Sequence, residues 1–111
     1  MSIAKIALAA LLAIVSSLAL AAGNAESGKA KAAQVCAACH GPDGNKPSAP
    51  DQPVLAGQYP DYLVKALSDY KSGKRANPIM KGFAATLEKK DMEDLAAWFS
   101  SQKTTSLHDQ R

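Results

Sequence analysis

Two cysteines and a histidine, residue types that bind metals and cofactors, lie together in the stretch CAACH as Cys36, Cys39 and His40. Residues i and i+3 of a helix lie on the same face, so a helical conformation would bring both thiols to one side. Three kinds of chemistry use such a group: a thiol–disulfide redox pair, a zinc site, and covalent attachment of a haem.

The surrounding sequence favours haem attachment over the other two interpretations. A thioredoxin-like redox pair follows a strand within a βαβ pattern, and this chain has no strand pattern. A zinc site normally needs a second pair of ligands, and the other histidine, His108, lies in a polar tail. Cys36 and Cys39 on one helix face can form thioether bonds to the two vinyl groups of a porphyrin, and the adjacent His40 can then ligate the iron.

Further segments carry a family resemblance. Besides CAACHG, they are Gly28, LAGQYPDYL at 55–63, YKSGKR at 70–75, NPIMKGFAATL at 77–87 and DMEDLAAWF at 91–99. In these segments the chain resembles a class I cytochrome c of the small bacterial periplasmic monohaem type. The resemblance implies an all-α cytochrome c fold, with three to five helices wrapped around one covalently bound haem c and the N- and C-terminal helices crossing.

The resemblance also implies roles for side chains near the cofactor. The Pro53 carbonyl is expected to accept a hydrogen bond from the free ring nitrogen of His40, which fixes the orientation of the imidazole. Tyr62 and Arg75 are further candidates for haem contacts, Tyr62 through its hydroxyl and Arg75 by pairing with a propionate.

A methionine is expected to be the second axial ligand of the iron. Met92 lies on an apolar stripe at helical spacing, where a methionine usually fills a core. Met80 follows Asn77 and Pro78, which predicts an irregular segment that can turn a side chain inward. In the resembled family the methionine ligand also occupies this position. We therefore expect His40 and Met80 to ligate the iron.

Local patterns predict where the helices begin and end. A first helix is expected over residues 24–39, with Asn24 as its N-cap. A second should begin at Pro60, which suits a first helical turn, and stop at the Ser72-Gly73 pair. Between these two helices, the composition of residues 41–51 predicts a loop.

The final helix is expected over about residues 89–101. Glu88 stands where the family commonly has Ser or Thr, and Glu is a weaker cap, so either Thr86 or a shifted start is expected to compensate. In the family, a glycine at the position of Gly28 lets the first and last helices cross closely, opposite an aromatic side chain that Trp98 matches here.

The first residues have the three regions of a secretory signal peptide. Lys5 supplies a positive charge, an apolar run follows, and small residues allow cleavage after Ala21, with Ala22 or Ala25 as other sites. An uncleaved membrane anchor is the alternative, although the run is shorter than the ~20 residues that usually span a bilayer. The expected organisation is a cleaved signal peptide at 1–21, a cytochrome c domain at 22–103 and a flexible tail at 104–111.

Composition limits both the core and the partners. Two Phe, one Trp and three Tyr in 111 residues make a thin core, which a bulky apolar cofactor would complete. The net charge of +3 is small, and no dense basic run with interleaved aromatics occurs, so nucleic acid is not an expected partner.

These features together predict a soluble periplasmic one-electron carrier with a low-spin His/Met-ligated haem c, and not an enzyme. The alternatives are a haem-based ligand sensor and an electron-transfer subunit docked to a larger oxidoreductase. We expect redox protein partners with acidic docking surfaces, no stable membrane insertion after signal cleavage, and a monomer or weak dimer. The residues expected to form a cationic rim around the haem edge are Lys46, Lys74, Arg75 and Lys81.

Overall fold

The computed structural model of the protein describes residues 23–104. The predicted signal peptide, and residues 105–111 of the predicted tail, lie outside the described residues. The described part forms five α-helices and no strands, which confirms the predicted all-α class. The helices are α1 (Ala25–Val35), α2 (Ala37–His40), α3 (Pro60–Ser72), α4 (Pro78–Ala84) and α5 (Lys89–Ser100).

The first helix begins where the sequence predicts and ends earlier. Asn24 is its N-cap, and the Asn24 side-chain oxygen accepts a hydrogen bond from the Ser27 N–H at 2.9 Å. The single helix predicted over residues 24–39 is interrupted at Cys36. There the Cys39 N–H donates to the Cys36 carbonyl, three residues back, at 3.3 Å, so the chain tightens locally. The short helix α2 then carries the chain to His40.

The helix α3 has the two ends that its sequence predicts. Pro60 occupies the first turn, where its missing N–H would have no partner in any case. Gly73 ends the helix in the left-handed region, with φ of +85°, and its N–H donates to the Tyr70 carbonyl at 3.3 Å. A residue with a side chain would be strained in that conformation, so glycine sets this end of α3.

The start of α5 differs from the expected weak cap. The Asp91 carboxylate accepts a hydrogen bond from the Glu88 N–H at 2.9 Å, which is the return half of a capping box. Thr86 takes no part, because its hydroxyl donates to the Phe83 carbonyl at the end of α4. The helix therefore starts at Lys89 without a shifted boundary.

The N- and C-terminal helices cross at Gly28, as the resemblance implies. A Cβ atom at Gly28 would lie 2.0 Å from the Asp94 carbonyl oxygen and 2.9 Å from Trp98 Cβ, so a residue with a side chain could not occupy this position without moving the helices. The crossing brings α5 against α1, α3 packs against α5, and α4 packs against α3. The buried apolar cluster that results consists of Ala32, Leu63, Leu87, Met92, Leu95, Ala96 and Phe99.

Candidate functional site

A cavity of about 480 Å³ lies between α2, α3, α4, α5 and the loop that precedes α3. This volume is within the range of pockets for cofactors and drug-sized ligands, roughly 300–1,000 Å³. Much of its wall is apolar, with Leu63 and Leu67 contributed by α3 and Leu95 and Phe99 by α5. The predicted site residues that line it are Cys36, Cys39, His40, Pro53, Arg75 and Met80.

The two thiols lie at the junction of α1 and α2, where both are half-buried and not joined in a disulfide. Burial raises the pKa of the Cys36 thiol to about 11. A free Cys36 thiol would therefore stay protonated at neutral pH, whereas the thiolate is the form that attacks in thiol–disulfide exchange. The environment of Cys36 thus opposes the redox-pair interpretation of the motif.

His40 is buried at the end of α2 and has one ring nitrogen occupied. Its Nδ1 lies 2.8 Å from the Pro53 carbonyl oxygen, so the hydrogen bond that the resemblance implies is present. A carbonyl oxygen only accepts, so Nδ1 must carry the proton and donate. This bond leaves Nε2 as the ring nitrogen whose lone pair can ligate a metal.

Met80 lines the same cavity from a different part of the chain. The sequence predicts an irregular segment here, and this is wrong, because residues 78–84 form the helix α4. Pro78 fits the first helical position and Asn77 caps the helix with its side chain.

Asn77 is a cavity-lining residue that the sequence interpretation missed. The signal that could have identified it is an Asn directly before a Pro, since both residue types are favoured at consecutive positions of a helix start. Met92, in contrast, is buried in the core as predicted. Its sulfur accepts a hydrogen bond from the Ser68 hydroxyl at 3.4 Å.

Arg75 and Tyr62 form a pair, and only Arg75 lines the cavity. Arg75 Nη1 donates to the Tyr62 hydroxyl at 3.3 Å, and the guanidinium lies 4.8 Å from the centre of the Tyr70 ring. Tyr62 is half-exposed on the outer side of α3 and is not among the lining residues. Tyr62 contacts Arg75, and Arg75 in turn lines the cavity.

Two further features of residues 23–104 bear on ligands and membranes. No group of three or more His, Cys, Asp or Glu side chains in this range could hold a metal ion. These residues therefore provide no set of ligands for the zinc site considered from the sequence. None of the helices in this range has the length and apolar character needed to span a membrane.

Comparison with known proteins assigns the family. The Cytochrome c family profile matches residues 25–103. The chain belongs to the cytochrome c family. Cytochrome c-554(548) of Halomonas halodenitrificans is 39% identical over 85 residues, which cover 74% of this chain and 100% of that protein. Among structures, reduced recombinant cytochrome c4 from Pseudomonas stutzeri has a TM-score of 0.69 and 47% identity, over 76% of this chain and 48% of that one.

Cytochrome c4 of Pseudomonas aeruginosa is 55% identical over 86 residues, or 78% of this chain and 42% of that protein. The chain thus spans about half the length of the cytochromes c4 that it matches. These relatives confirm a class I cytochrome c with the cytochrome c fold, and with it covalently attached haem c as the cofactor.

The residues of this cytochrome c fit a haem. The cavity is largely apolar, as a porphyrin requires, and its lining includes two thiols, an imidazole and a thioether. Cys36 and Cys39 have the spacing of the attachment motif. The sequence supplies one such pair, which corresponds to one covalent attachment site within these residues.

Proposed function

We propose that the protein is a soluble periplasmic one-electron carrier in which His40 and Met80 are the axial ligands of a single low-spin haem c. One observation carries this proposal: both side chains line the cavity that also contains the two attachment thiols, although Met80 is forty residues from His40 in the chain. Haem c, when bound, supplies an iron that exchanges one electron between its ferrous and ferric forms.

The chain's own residues would attach, orient and tune this cofactor. Cys36 and Cys39 hold it covalently, and the Pro53 carbonyl keeps His40 in the orientation and tautomer that ligation needs. The thioether of Met80 is a soft, neutral ligand that favours the reduced iron, so it raises the reduction potential relative to a second imidazole. With both axial positions filled by side chains, no site remains for a substrate, which suits electron transfer and opposes catalysis.

Arg75 is proposed to neutralise a haem propionate at the rim of the cavity. A guanidinium pairs well with a carboxylate because it offers several donors in one plane. The Tyr62 hydroxyl and the Tyr70 ring support this proposal, since both contact Arg75 and restrict its guanidinium. Tyr62 would therefore act on the cofactor indirectly.

A cationic rim beside the cavity is the proposed docking surface for redox partners with acidic surfaces. Lys74, Arg75 and Lys81 are exposed there, whereas the ion pairs found within residues 23–104 involve other lysines. Ile79 and Phe83 line the cavity beside these residues, and any part of their side chains that a bound haem leaves uncovered would offer an apolar contact. Lys46 lies on the loop after His40 and would extend the rim. Such charge steers partners electrostatically and makes association sensitive to salt.

Location and assembly complete the proposal. Residues 1–21 would direct export and be removed, and the mature protein would be a monomer or weak dimer without stable membrane insertion. Relatives named as bacterial cytochromes c4 support the periplasmic location. Size-exclusion chromatography of a periplasmic extract would separate a free carrier from a subunit docked to a larger oxidoreductase.

Visible spectroscopy tests the ligand assignment. The ferric protein should show a weak sulfur–iron band near the red end of the spectrum, and Met80→Ala should abolish it. Met92→Leu is the matched control, because Met92 is buried in the core and its replacement should leave the band intact. A band that survives in the Met80 variant would refute the assignment.

Carbon monoxide separates the carrier from the ligand-sensor alternative. A sensor needs a sixth ligand that leaves easily, so its reduced form would bind carbon monoxide readily at neutral pH. The proposed carrier should resist binding because Met80 occupies that position. Rapid and complete conversion of the reduced protein by carbon monoxide would favour the sensor.

A further inference from the structure

The polypeptide itself holds the helix that carries Met80 mainly at the two ends of that helix. α4 has seven residues, and isolated helices shorter than about 12–15 residues are marginal in water. Of its residues only Ala84 is buried, while Ile79, Lys81, Gly82 and Phe83 are exposed. Apart from contact with a cofactor in the cavity, which Ile79, Met80 and Phe83 line, the contacts at its two ends are what other parts of the chain provide to keep α4 folded.

The C-terminal end of α4 is tied to the body of the protein. The Thr86 hydroxyl and the Thr86 N–H both donate to the Phe83 carbonyl, at 2.7 Å and 3.2 Å. One residue further on, Lys71 Nζ on α3 donates to the Leu87 carbonyl at 2.5 Å, and Leu87 is buried. Opening of this segment should therefore begin at the other end, where Met80 lies.

The N-terminal end is held by one side chain. Asn77 Oδ1 accepts hydrogen bonds from two backbone amides, the Ile79 N–H at 3.1 Å and the Met80 N–H at 3.0 Å. The second donor belongs to the proposed ligand residue itself. The Asn77 side chain thus restrains the backbone from which the Met80 thioether extends.

We propose that Asn77 is a positioning residue for the axial methionine: its side chain holds the first turn of α4 and so determines how well Met80 competes with other ligands for the iron. This inference rests on the proposed His/Met ligation. A thioether is a weak ligand, so the Met80-bound state competes with states in which the first turn of α4 has opened. Both Asn77 hydrogen bonds exist only in the closed state and therefore bias the equilibrium towards it.

The test is a titration of the ferric, haem-loaded protein with imidazole, which must displace Met80 to bind. Removal of one N-cap changes a local equilibrium by a typical factor of about five, so Asn77→Ala should bind imidazole about five-fold more tightly than the wild type. Asn77→Ser keeps a capping oxygen and should restore an affinity near that of the wild type.

Asn24→Ala is the matched control, because Asn24 caps α1 through the same kind of bond but no axial ligand lies on that helix. It should lower the stability to denaturant and leave the imidazole affinity unchanged. The inference is overturned if Asn77→Ala has the imidazole affinity of the wild type, or if Asn24→Ala raises that affinity equally. It is also overturned if Asn77→Ser behaves as Asn77→Ala does, since loss of a cavity contact would then explain the effect.

The two levels of the proposal fail in different ways. If the wild type lacks the sulfur–iron band, or if Met80→Ala retains it, the ligand assignment fails and the role of Asn77 fails with it. If the band is present, is lost in Met80→Ala, and the imidazole affinity does not respond to Asn77→Ala, only the positioning role of Asn77 is wrong.

Discussion

Replacing Gly28 with alanine tests whether the crossing of α1 and α5 organises the fold. The added Cβ would lie 2.0 Å from the Asp94 carbonyl oxygen, and Cβ atoms in proteins essentially never approach another heavy atom closer than 3.0 Å. The two helices must therefore separate by about 1 Å at the crossing. Because the clash is with backbone, no change of side-chain rotamer can relieve it.

Two opposing contributions decide the size of the effect of Gly28→Ala. Alanine is favoured over glycine within a helix by about 1 kcal/mol. Overpacking of a well-packed site costs about 1–3 kcal/mol, and a backbone clash belongs at the upper end. We therefore expect Gly28→Ala to lower the free energy of unfolding by about 2 kcal/mol.

Gly82→Ala is the matched control for the same chemical change. Gly82 lies within α4, and a Cβ there would have no heavy atom within 4 Å. Only the gain in helix propensity remains, so this variant should be stabilised by up to about 1 kcal/mol. Urea unfolding of the haem-loaded proteins, followed by circular dichroism, measures both changes. If Gly28→Ala is as stable as the wild type or more stable, α1 and α5 do not approach each other as closely at Gly28 as the structure indicates.

Two further predictions concern charge. Burial raises the pKa of Asp94, but hydrogen bonds from Lys90 and the Asn24 N–H, with the attraction of Lys90, lower it below its usual value overall. A lowered folded-state pKa gives stability that is present above about pH 4 and lost as the pH falls through the folded pKa. Asp94→Asn should therefore have a lower free energy of unfolding in urea than the wild type at pH 7, and the difference should shrink towards pH 3. A difference in unfolding free energy that stays constant between these pH values would contradict this prediction. Lys74→Glu/Lys81→Glu should slow oxidation of the reduced protein by the anion ferricyanide about ten-fold at low salt, with little effect at 1 M salt, and should speed oxidation by a cationic oxidant. If variant and wild type are oxidised at equal rates at low salt, Lys74 and Lys81 are not part of the docking surface.

Much of the fold could be predicted because helix ends depend on neighbours within four residues of one another. Asn24, Pro60 and Gly73 stand at the ends that their types favour, and the structure agrees at all three. At Glu88 the expected compensation by Thr86 or by a shifted start is wrong, because Asp91 completes a capping box with Glu88. The prediction from local sequence is also wrong at Met80, where Asn77 and Pro78 predict an irregular segment and instead begin a helix.

The sequence by itself determined the cofactor and its attachment, since the CAACH spacing allows few chemistries and the sparse aromatic content needs an added apolar mass. It also distinguished Met80 from Met92, because a helical stripe indicates a core residue. Only the tertiary structure decided that these groups share one cavity and that Arg75, not Tyr62, lines it. The physical reason is that cavity walls and cross-helix contacts form between residues far apart in the chain, whose approach depends on how whole helices pack.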